Sequence, residues 1–319
     1  MPGLKRRAIK SVIESKLKAW LKTMPEEFAE KVKDHLIVSG GCIASMLLGE
    51  TVNDYDVYTD DVLTAKRLAN YYVAKFNANR VAKNNFRTSE PYVRVSKNLA
   101  GEEVRVAIYV KSVGVAGESE DPSQYQYFET QAADNVGADE YVQQLADKKE
   151  ETEEDRYRPI FLSENAITLS NKLQIVIRFT GVPEEIHKNY DYVHATNYYY
   201  SRTKQLVFRP SALEALLSKT LNYQGSLYPV CSLFRMRKFM DRGWKISAGE
   251  IIKISMQISA LDLRDIKVLR EQLIGVDAAY MHELLAMLTT YTQNDQTKPI
   301  EASYVMQLVD MLAEQEHGI

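Results

Sequence analysis

The stretch SGGCIASMLLGETVNDYDVY, residues 39–58, is the most informative part of this 319-residue chain. Gly40 and Gly41 follow a short apolar strand and precede a predicted helix at 42–48. Glycines at such a junction let the backbone approach a ligand closely, and the helix N-terminus offers free N–H groups to an anion. The stretch therefore predicts a phosphate site, with Gly40, Gly41 and the Ser39 hydroxyl around the β- and γ-phosphates of a nucleotide.

Two carboxylates close the same stretch. Asp54 and Asp56 are two residues apart on a predicted strand, so their side chains are expected to project from one face. Such a pair suits Mg²⁺, a hard ion that prefers oxygen ligands and often shares substrate phosphates. A Gly-Gly pair alone is most often a turn, and an Asp-x-Asp alone is most often a solvated strand end. Their order and spacing together predict a site for a metal-bound nucleotide.

These residues resemble the Gly-Gly … Asp-x-Asp signature of nucleotidyltransferases of the DNA polymerase β superfamily. Leu47-Leu48-Gly49, ahead of the Asp pair, is most similar to the branch of tRNA CCA-adding enzymes and bacterial poly(A) polymerases. The resemblance implies an α+β head, a polymerase β-like palm with a mixed sheet, followed by an all-α C-terminal domain.

The resemblance also implies an activity. A nucleoside monophosphate would pass from an NTP to a hydroxyl acceptor, with release of pyrophosphate. An RNA 3′ end, tRNA-like or other, is the favoured acceptor, and a protein or small molecule is the alternative. Asp54 and Asp56 would hold Mg²⁺, two ions being expected and Mn²⁺ being a possible substitute.

The superfamily needs a third carboxylate on a neighbouring strand, and the resemblance assigns it to Asp191. This residue lies in a strand predicted at 190–200, after a buried strand predicted at 173–179. Asp191 would then bind metal and help to activate the acceptor hydroxyl. An aspartate embedded in a strand is costly without a partner, which a metal would supply. A capped or salt-bridged aspartate is the alternative, and His194, on the opposite face of the predicted strand, is expected to be structural.

The helical tail is similar to the neck that follows the head in CCA-adding enzymes, where arginines help to bind the incoming nucleotide. By that resemblance, Arg235, Lys238 and Arg242 are candidates for contact with the triphosphate or an RNA backbone. Arg242 lies seven residues after Arg235, so the two share a helix face, with Lys238 near it. A solvated charged face is the alternative.

Two departures separate the chain from CCA-adding enzymes. Ala44 and Ser45 stand where those enzymes have an Arg-Asp pair, and their base-selecting Glu-Asp-x-x-Arg motif is missing after the head. The residues thus favour the catalytic head but not CCA addition. The whole sequence is also similar to nucleotidyltransferase-like proteins of tailed bacteriophages, which implies action in the host cytoplasm.

Composition limits the classes of function. Hydrophobic residues make up 45% and charged residues 26%, as is ordinary for a globular protein. A formal net charge of -3 argues against a protein that coats nucleic acid through bulk positive charge. Cys42 and Cys231 give neither a disulfide framework nor a zinc spacing, which fits a reducing cytoplasm. No apolar run approaches the roughly 20 residues of a membrane span, and the basic N-terminus leads into an amphipathic helix instead of a signal-peptide core.

The pattern divides the chain into three parts. Residues 1–35 are predicted helices that pack on the head, residues 36–210 the catalytic domain, and residues 211–319 a helical C-terminal domain. Residues 114–158 are an acidic insertion, interpreted as a lid, a partner tether or a solvated loop. The remaining predictions are strands at 35–38, 55–58 and 205–209, a hairpin at 92–110, and helices at 62–75, 183–189, 211–222, 229–242, 247–260, 262–273, 278–292 and 301–316.

Three hypotheses for function follow. The leading one is the nucleotidyltransferase. The second is a non-catalytic nucleotide- or nucleic-acid-binding structural protein, which the missing arginine favours and the three carboxylates disfavour. The third is a toxin- or defence-type transferase that modifies tRNA or protein. Turnover separates the first from the second, and the identity of the acceptor separates the third.

Overall fold

A computed structural model of the protein describes residues 3–82, 90–109, 114–116, 156–273 and 303. These residues form two compact units, and the chain passes from the first to the second between Gln224 and Gly225. The first unit contains helices and a mixed sheet, which confirms the predicted α+β class. The predicted helices at 278–292 and 301–316 lie outside the described residues, except for Ser303.

The first unit contains most of the regular structure. Its helices are α1 (Arg6–Leu21), α2 (Glu26–Val32), α3 (Gly41–Leu48), α4 (Val62–Ala82), α5 (Pro183–His187) and α6 (Pro210–Ser218). Its strands are β1 (Leu36–Ser39), β2 (Tyr55–Thr59), β3 (Tyr92–Lys97), β4 (Glu103–Tyr109), β5 (Gly114–Ala116), β6 (Pro159–Ser163), β7 (Ala166–Leu169), β8 (Leu173–Thr180), β9 (Tyr198–Tyr200), β10 (Gln205–Val207) and β11 (Thr220–Leu221). Two 3₁₀ turns, Lys33–His35 and Val193–Ala195, complete it.

Eight of the described strands form one mixed sheet in the order β10-β9-β1-β2-β8-β7-β6-β5. At its centre β1 pairs antiparallel with β2, which places Ser39 opposite Asp56. On the other side β2 pairs in parallel with β8, which places Gln174 beside Asp56. The other neighbouring strands of this sheet are antiparallel. A parallel pair requires a long connection, and here that connection carries α4 and the β3–β4 hairpin.

Helices α1 and α4 share a buried contact. The buried residues of α1 recur every three or four positions, as expected for a helix with one face on the core: Ile9, Ile13, Leu17 and Trp20. The indole N–H of Trp20 donates to the hydroxyl of Tyr72 in α4 at 2.6 Å, and both side chains are buried. Each polar group is therefore satisfied by the other inside the apolar core.

The predicted hairpin is confirmed. Strands β3 and β4 pair antiparallel, and the turn between them is closed by the Gly101 N–H, which donates to the Asn98 carbonyl at 3.0 Å. Val106 and Ile108 of β4 are buried, and α4 lies against this strand. The alternation of apolar and polar residues therefore indicates which side chains of β4 face the protein interior.

Both ends of the predicted insertion at 114–158 join the sheet. Strand β5 pairs with β6, with Gly114 opposite Ser163, and both Tyr157 and Arg158 are buried. The prediction of a solvated segment is therefore wrong at its two ends, which contain a short strand and buried side chains. The charged residues between these ends dominate the composition on which the prediction rests. Residues 117–155 lie outside the described part, so the lid, tether and loop interpretations stay predictions.

The predicted strand at 190–200 is wrong over most of its length. Only Tyr198–Tyr200 is strand; the residues before it form a bend, an isolated bridge and a 3₁₀ turn. The carboxylate of Asp191 accepts the N–H of Tyr192 at 2.9 Å, and the Thr196 hydroxyl donates to the Val193 carbonyl at 2.7 Å. Such local bonds between side chains and backbone compete with pairing in a sheet.

The second unit is mainly helical in its described part, but it contains one short strand where an all-α domain was predicted, and residues 211–224 of that predicted domain lie in the first unit. It contains α7 (Pro229–Asp241), β12 (Lys245–Ile246), α8 (Ala248–Ser259) and α9 (Ile266–Leu273). Helices α8 and α9 contact α7, and the buried Cys231 thiol donates to the Gln272 carbonyl at 2.7 Å. None of the described helices of the protein is long and apolar enough to cross a membrane.

The Trp20–Tyr72 contact gives a stability prediction. Tyr72→Phe removes the acceptor and leaves the buried indole N–H unpaired, so we expect the free energy of unfolding in urea to fall by about 1–3 kcal/mol. Tyr71→Phe is the matched control, because Tyr71 is only half-buried and stacks on Phe28 through its ring. Equal stability of the Tyr72→Phe variant and the parent would contradict the proposed role of the bond.

Candidate nucleotide and metal site

The site is built on the close approach of Gly40 to Asp56. Gly40 has φ 91° and ψ -155°, a conformation almost restricted to glycine. A Cβ atom at this position would lie 2.6 Å from the Asp56 Oδ2 atom, whereas a Cβ at Gly41 would meet nothing within 4 Å. Gly40 is therefore required both for its backbone conformation and for the space that the carboxylate occupies.

Helix α3 begins immediately after this contact. Within the described part of the chain, no side chain caps its N-terminus, and Gly49 ends the helix in the left-handed conformation with φ 72°. The first turn of a helix has N–H groups without intrahelical partners and carries partial positive charge. The start of α3 therefore presents anion-binding groups beside the Asp56 carboxylate.

Asp54 and Asp56 both lie near the start of α3. Asp56 is half-buried on β2, and Asp54 is exposed one residue before the strand begins, so only Asp56 is on the strand itself. Burial, followed by the negative charges of Asp56 and Asp54, raises the pKa of the Cys42 thiol in α3. The electrostatic effect of both carboxylates on one buried thiol indicates that they share this region.

Two residues near the start of β8 contribute to this site and were not predicted from the sequence. Gln174 lies beside Asp56, and its amide donates to Asp56 Oδ1 at 3.4 Å. Lys172 precedes the strand, and its ammonium donates to the Val52 carbonyl at 3.2 Å, in the loop that leads to Asp54. Gln174 was detectable as a polar residue in an apolar strand, but its pairing with Asp56 depends on a parallel register that the sequence does not reveal.

The Ser39 hydroxyl is engaged inside the protein. Ser39 is fully buried; its hydroxyl donates to the Asn197 carbonyl at 3.0 Å and lies 2.8 Å from His187 Nε2. Because a hydroxyl has one proton, this arrangement makes Nε2 of a neutral His187 the donor. The expectation that this hydroxyl faces the phosphates therefore needs correction, because the hydroxyl fixes the end of β1. Gly40 is buried and its N–H donates to the Ala195 carbonyl at 3.1 Å, so the exposed Gly41 is the accessible part of the predicted phosphate site.

Asp191 lies in a bend instead of on a strand adjacent to β2. Its side chain is 9% exposed, its carboxylate accepts the N–H of Tyr192, and its carbonyl accepts the N–H of Gln224. The position beside Asp56 on the neighbouring strand belongs to Gln174. His194 is buried, and its role stays a prediction.

The predicted basic residues lie in the second unit. Arg235 and Lys238 are on α7, half-buried and exposed respectively, and Arg242 follows the helix. The guanidinium of Arg242 lies over the Phe239 ring at 5.4 Å. Their role in binding a triphosphate or RNA stays a prediction.

A second group of side chains, not foreseen from the sequence, could hold a metal ion: His35, Asp60 and Asp61. It lies at the other end of the β1–β2 pair, with His35 Nδ1 at 2.7 Å from Asp60 Oδ1 and 2.8 Å from Asp61 Oδ2. Asp60 is also bound by the Tyr200 hydroxyl and, at 2.6 Å, by Arg202. Because the guanidinium already neutralises the most buried carboxylate, this group is satisfied as an ion-pair network.

The donor set at Gly40 fits magnesium. Asp54 and Asp56 offer carboxylate oxygens, and the space that a Cβ at Gly40 would fill is taken by one of them. Mg²⁺ is usually held by one or two carboxylates together with substrate phosphates. The carboxylates and a triphosphate are all anionic, so a nucleotide can approach them closely only with a cation between them.

The glycine pair gives a second stability prediction. Gly40→Ala places a side chain in a conformation that costs about 1–3 kcal/mol and displaces Asp56. Gly41→Ala, the matched control, meets open space, and we expect its unfolding free energy to stay within about 0.5 kcal/mol of the parent. Urea unfolding of the two variants measures the difference, and equal stability would show that Gly40 is not constrained as described.

His187 gives a prediction for pH dependence. Burial, followed by the charge of Arg209, lowers the pKa of His187 to about 3. In the unfolded chain the group binds a proton below about pH 6.5, so the unfolded state binds more protons and stability falls as pH falls from 6.5 toward 3. His187→Gln removes this titration and should reduce the loss of unfolding free energy between pH 7.5 and 5. An unchanged loss in the variant would contradict a buried neutral His187.

The chain was compared with known proteins. No curated protein sequence matches it significantly. The solved structure of the Thermotoga maritima CCA-adding enzyme complexed with tRNA_CCA overlaps with 90% of this chain at 11% identity and a TM-score of 0.35. The chain spans about half of that protein, 53%, and so low a score does not establish a common fold. Residues 11–219, more than half of the chain and including the whole glycine–aspartate site, match a family described as Gad2, Gabija anti-defense 2 family protein. The chain therefore belongs to the Gabija anti-defense 2 family.

Proposed function

We propose that this chain is a metal-dependent nucleotidyltransferase, and that transfer of a nucleoside monophosphate is how it serves the anti-defense role named by its family. The observation that carries the proposal is the approach of Asp56 to the Gly40 backbone at the start of α3. A backbone conformation restricted to glycine and in contact with a carboxylate has no evident use in a turn that binds no ligand. A turn that binds phosphate beside a metal-binding carboxylate requires both the conformation and the contact.

Each residue has a part in the proposed reaction. The N–H groups of Gly41 and the first turn of α3 bind the phosphates of the NTP. Asp54 and Asp56 would hold Mg²⁺ or Mn²⁺, and the Lys172 ammonium adds positive charge near Asp54. Bound magnesium supplies neutralisation of the triphosphate and activation of the acceptor hydroxyl. Gly40 lets the phosphates approach the carboxylates by removing a side chain from between them.

The acceptor belongs to the same proposal. An RNA 3′ end is the favoured acceptor by the resemblance of the sequence, and Arg235, Lys238 and Arg242 are the residues proposed to contact its backbone or the triphosphate. Asp191 stays the proposed third carboxylate only if the bend that holds it rearranges on binding, since the structure places it off the strand. The proposed location is the cytoplasm of a phage-infected host, where two buried cysteines that form no disulfide are expected to stay reduced.

One observation favours a second candidate function. The strand neighbour of Asp56 is a neutral Gln174 where the superfamily needs a carboxylate. A protein that binds a metal–nucleotide complex without turnover would not need that carboxylate. The alternative is therefore a non-catalytic nucleotide-binding protein with the same site.

Turnover decides between the two. We expect label from one or more α-labelled NTPs, with Mg²⁺ or Mn²⁺, to appear on bacterial RNA incubated with the parent, and to fall at least about 10²-fold in Asp54→Asn/Asp56→Asn, as expected when metal binding is lost. Asp34→Asn/Asp262→Asn is the control, because it removes two exposed carboxylates elsewhere.

The destination of the label identifies the acceptor. Label on protein instead of RNA would favour a transferase that modifies a protein. Retained nucleotide binding with no label on RNA, protein or small molecules would overturn the enzyme and support the non-catalytic alternative.

A further inference from the structure

Asp56 is held between two neutral neighbours. Its strand partners are Ser39 on β1 and Gln174 on β8. Ser39 turns its hydroxyl toward His187 and the Asn197 carbonyl. Gln174 instead turns its amide toward Asp56 Oδ1 at 3.4 Å. Of the two neighbours, Gln174 is therefore the one that acts on the carboxylate.

The two oxygens of Asp56 have different surroundings. Oδ1 faces the Gln174 amide, and Oδ2 faces the backbone of Gly40. A carboxylate bound on one oxygen loses rotational freedom, and the second oxygen is then presented in a fixed direction. Groups in this position orient the ligands of a metal, and their removal commonly weakens metal affinity about 10–100-fold.

A neutral amide also sets the charge of the site. Asp54 and Asp56 together carry two negative charges, partly offset by the Lys172 ammonium, which donates to the loop before Asp54, so they suit one divalent cation and not two. A carboxylate at Gln174 would add a third charge and favour a second cation. With glutamine there, the remaining anionic ligands for a second ion are the phosphates of the nucleotide, as is usual for Mg²⁺.

We propose that Gln174 is the positioning residue of the metal site, orienting Asp56 and limiting the nucleotide-free site to one divalent cation. The second cation enters only with the triphosphate. This inference rests on the proposed function, since it assumes that Asp54 and Asp56 bind metal.

Titration with Mn²⁺ alone, followed by the electron paramagnetic resonance of the free ion, tests the proposal. The parent should bind one Mn²⁺ at the aspartate pair without nucleotide. Gln174→Met, similar in size but without the amide, should weaken this binding about tenfold or more. Gln174→Glu should tighten it by at least about tenfold or add a second ion. Gln205→Glu, the same change on the exposed end of β10, should leave the affinity unchanged.

Asp54→Asn/Asp56→Asn separates the possible failures. Binding that survives in this variant does not belong to the aspartate pair and is subtracted; His35, Asp60 and Asp61 are one group that could hold it. If the parent and this variant bind Mn²⁺ equally, the proposed function fails together with the inference. If the aspartate pair binds Mn²⁺ but the two Gln174 variants match the parent, or if the parent holds two ions without nucleotide, the role of Gln174 alone is overturned. Thermal unfolding of each variant shows that it is folded.

Discussion

The contact between the Gly40 backbone and the Asp56 carboxylate is the constraint on which the candidate site depends. It is set by the pairing of β1 with β2, which places Ser39 opposite Asp56 and brings the start of α3 to the same end of the sheet. A shift of this pairing by one residue would turn Asp56 to the other face of the sheet. The buried side chains of β1 and β2, including Ile37, Val38 and Val57, resist such a shift.

The charges around this contact determine which ligand can bind there. The helix start attracts phosphates, whereas the carboxylates repel them, so the two features are compatible in one ligand only when a cation joins them. The neutral residues beside Asp56, Ser39 and Gln174, add no further negative charge to the two carboxylates. The cluster of His35, Asp60 and Asp61 differs, because Arg202 compensates it from within the protein. An ion pair within the protein thus neutralises Asp60 at one end of the β1–β2 pair, whereas Asp54 and Asp56 at the other end are proposed to bind a cation.

Much of the head could be predicted from local sequence. The helices around residues 8–34, 42–48 and 62–75, the hairpin and the strand at 173–179 follow from periodicity, and the left-handed Gly49 follows from glycine at a helix end. Asp54 and Asp56 were identifiable because the glycine pair and the aspartate pair lie within one short stretch.

The remainder depends on contacts distant in sequence. The parallel pairing that sets Gln174 beside Asp56 joins strands separated by more than a hundred residues, and no local pattern encodes it. The run of tyrosines at 190–200 suggested a strand, but Asp191 and Thr196 bind the backbone locally and break it. Likewise, the Ser39 hydroxyl contacts His187 and Asn197 instead of a ligand site only because the fold brings α5 and the start of β9 next to β1.

The central proposal is that a metal–nucleotide complex binds between the start of α3 and the two aspartates. Isothermal titration of each NTP into the protein, with and without Mg²⁺, and into Asp56→Asn, measures this directly. We predict binding that requires Mg²⁺ and weakens by at least about tenfold in the variant, as for loss of a metal ligand. Nucleotide binding that is independent of Mg²⁺, or equal in Asp56→Asn and the parent, would contradict the account.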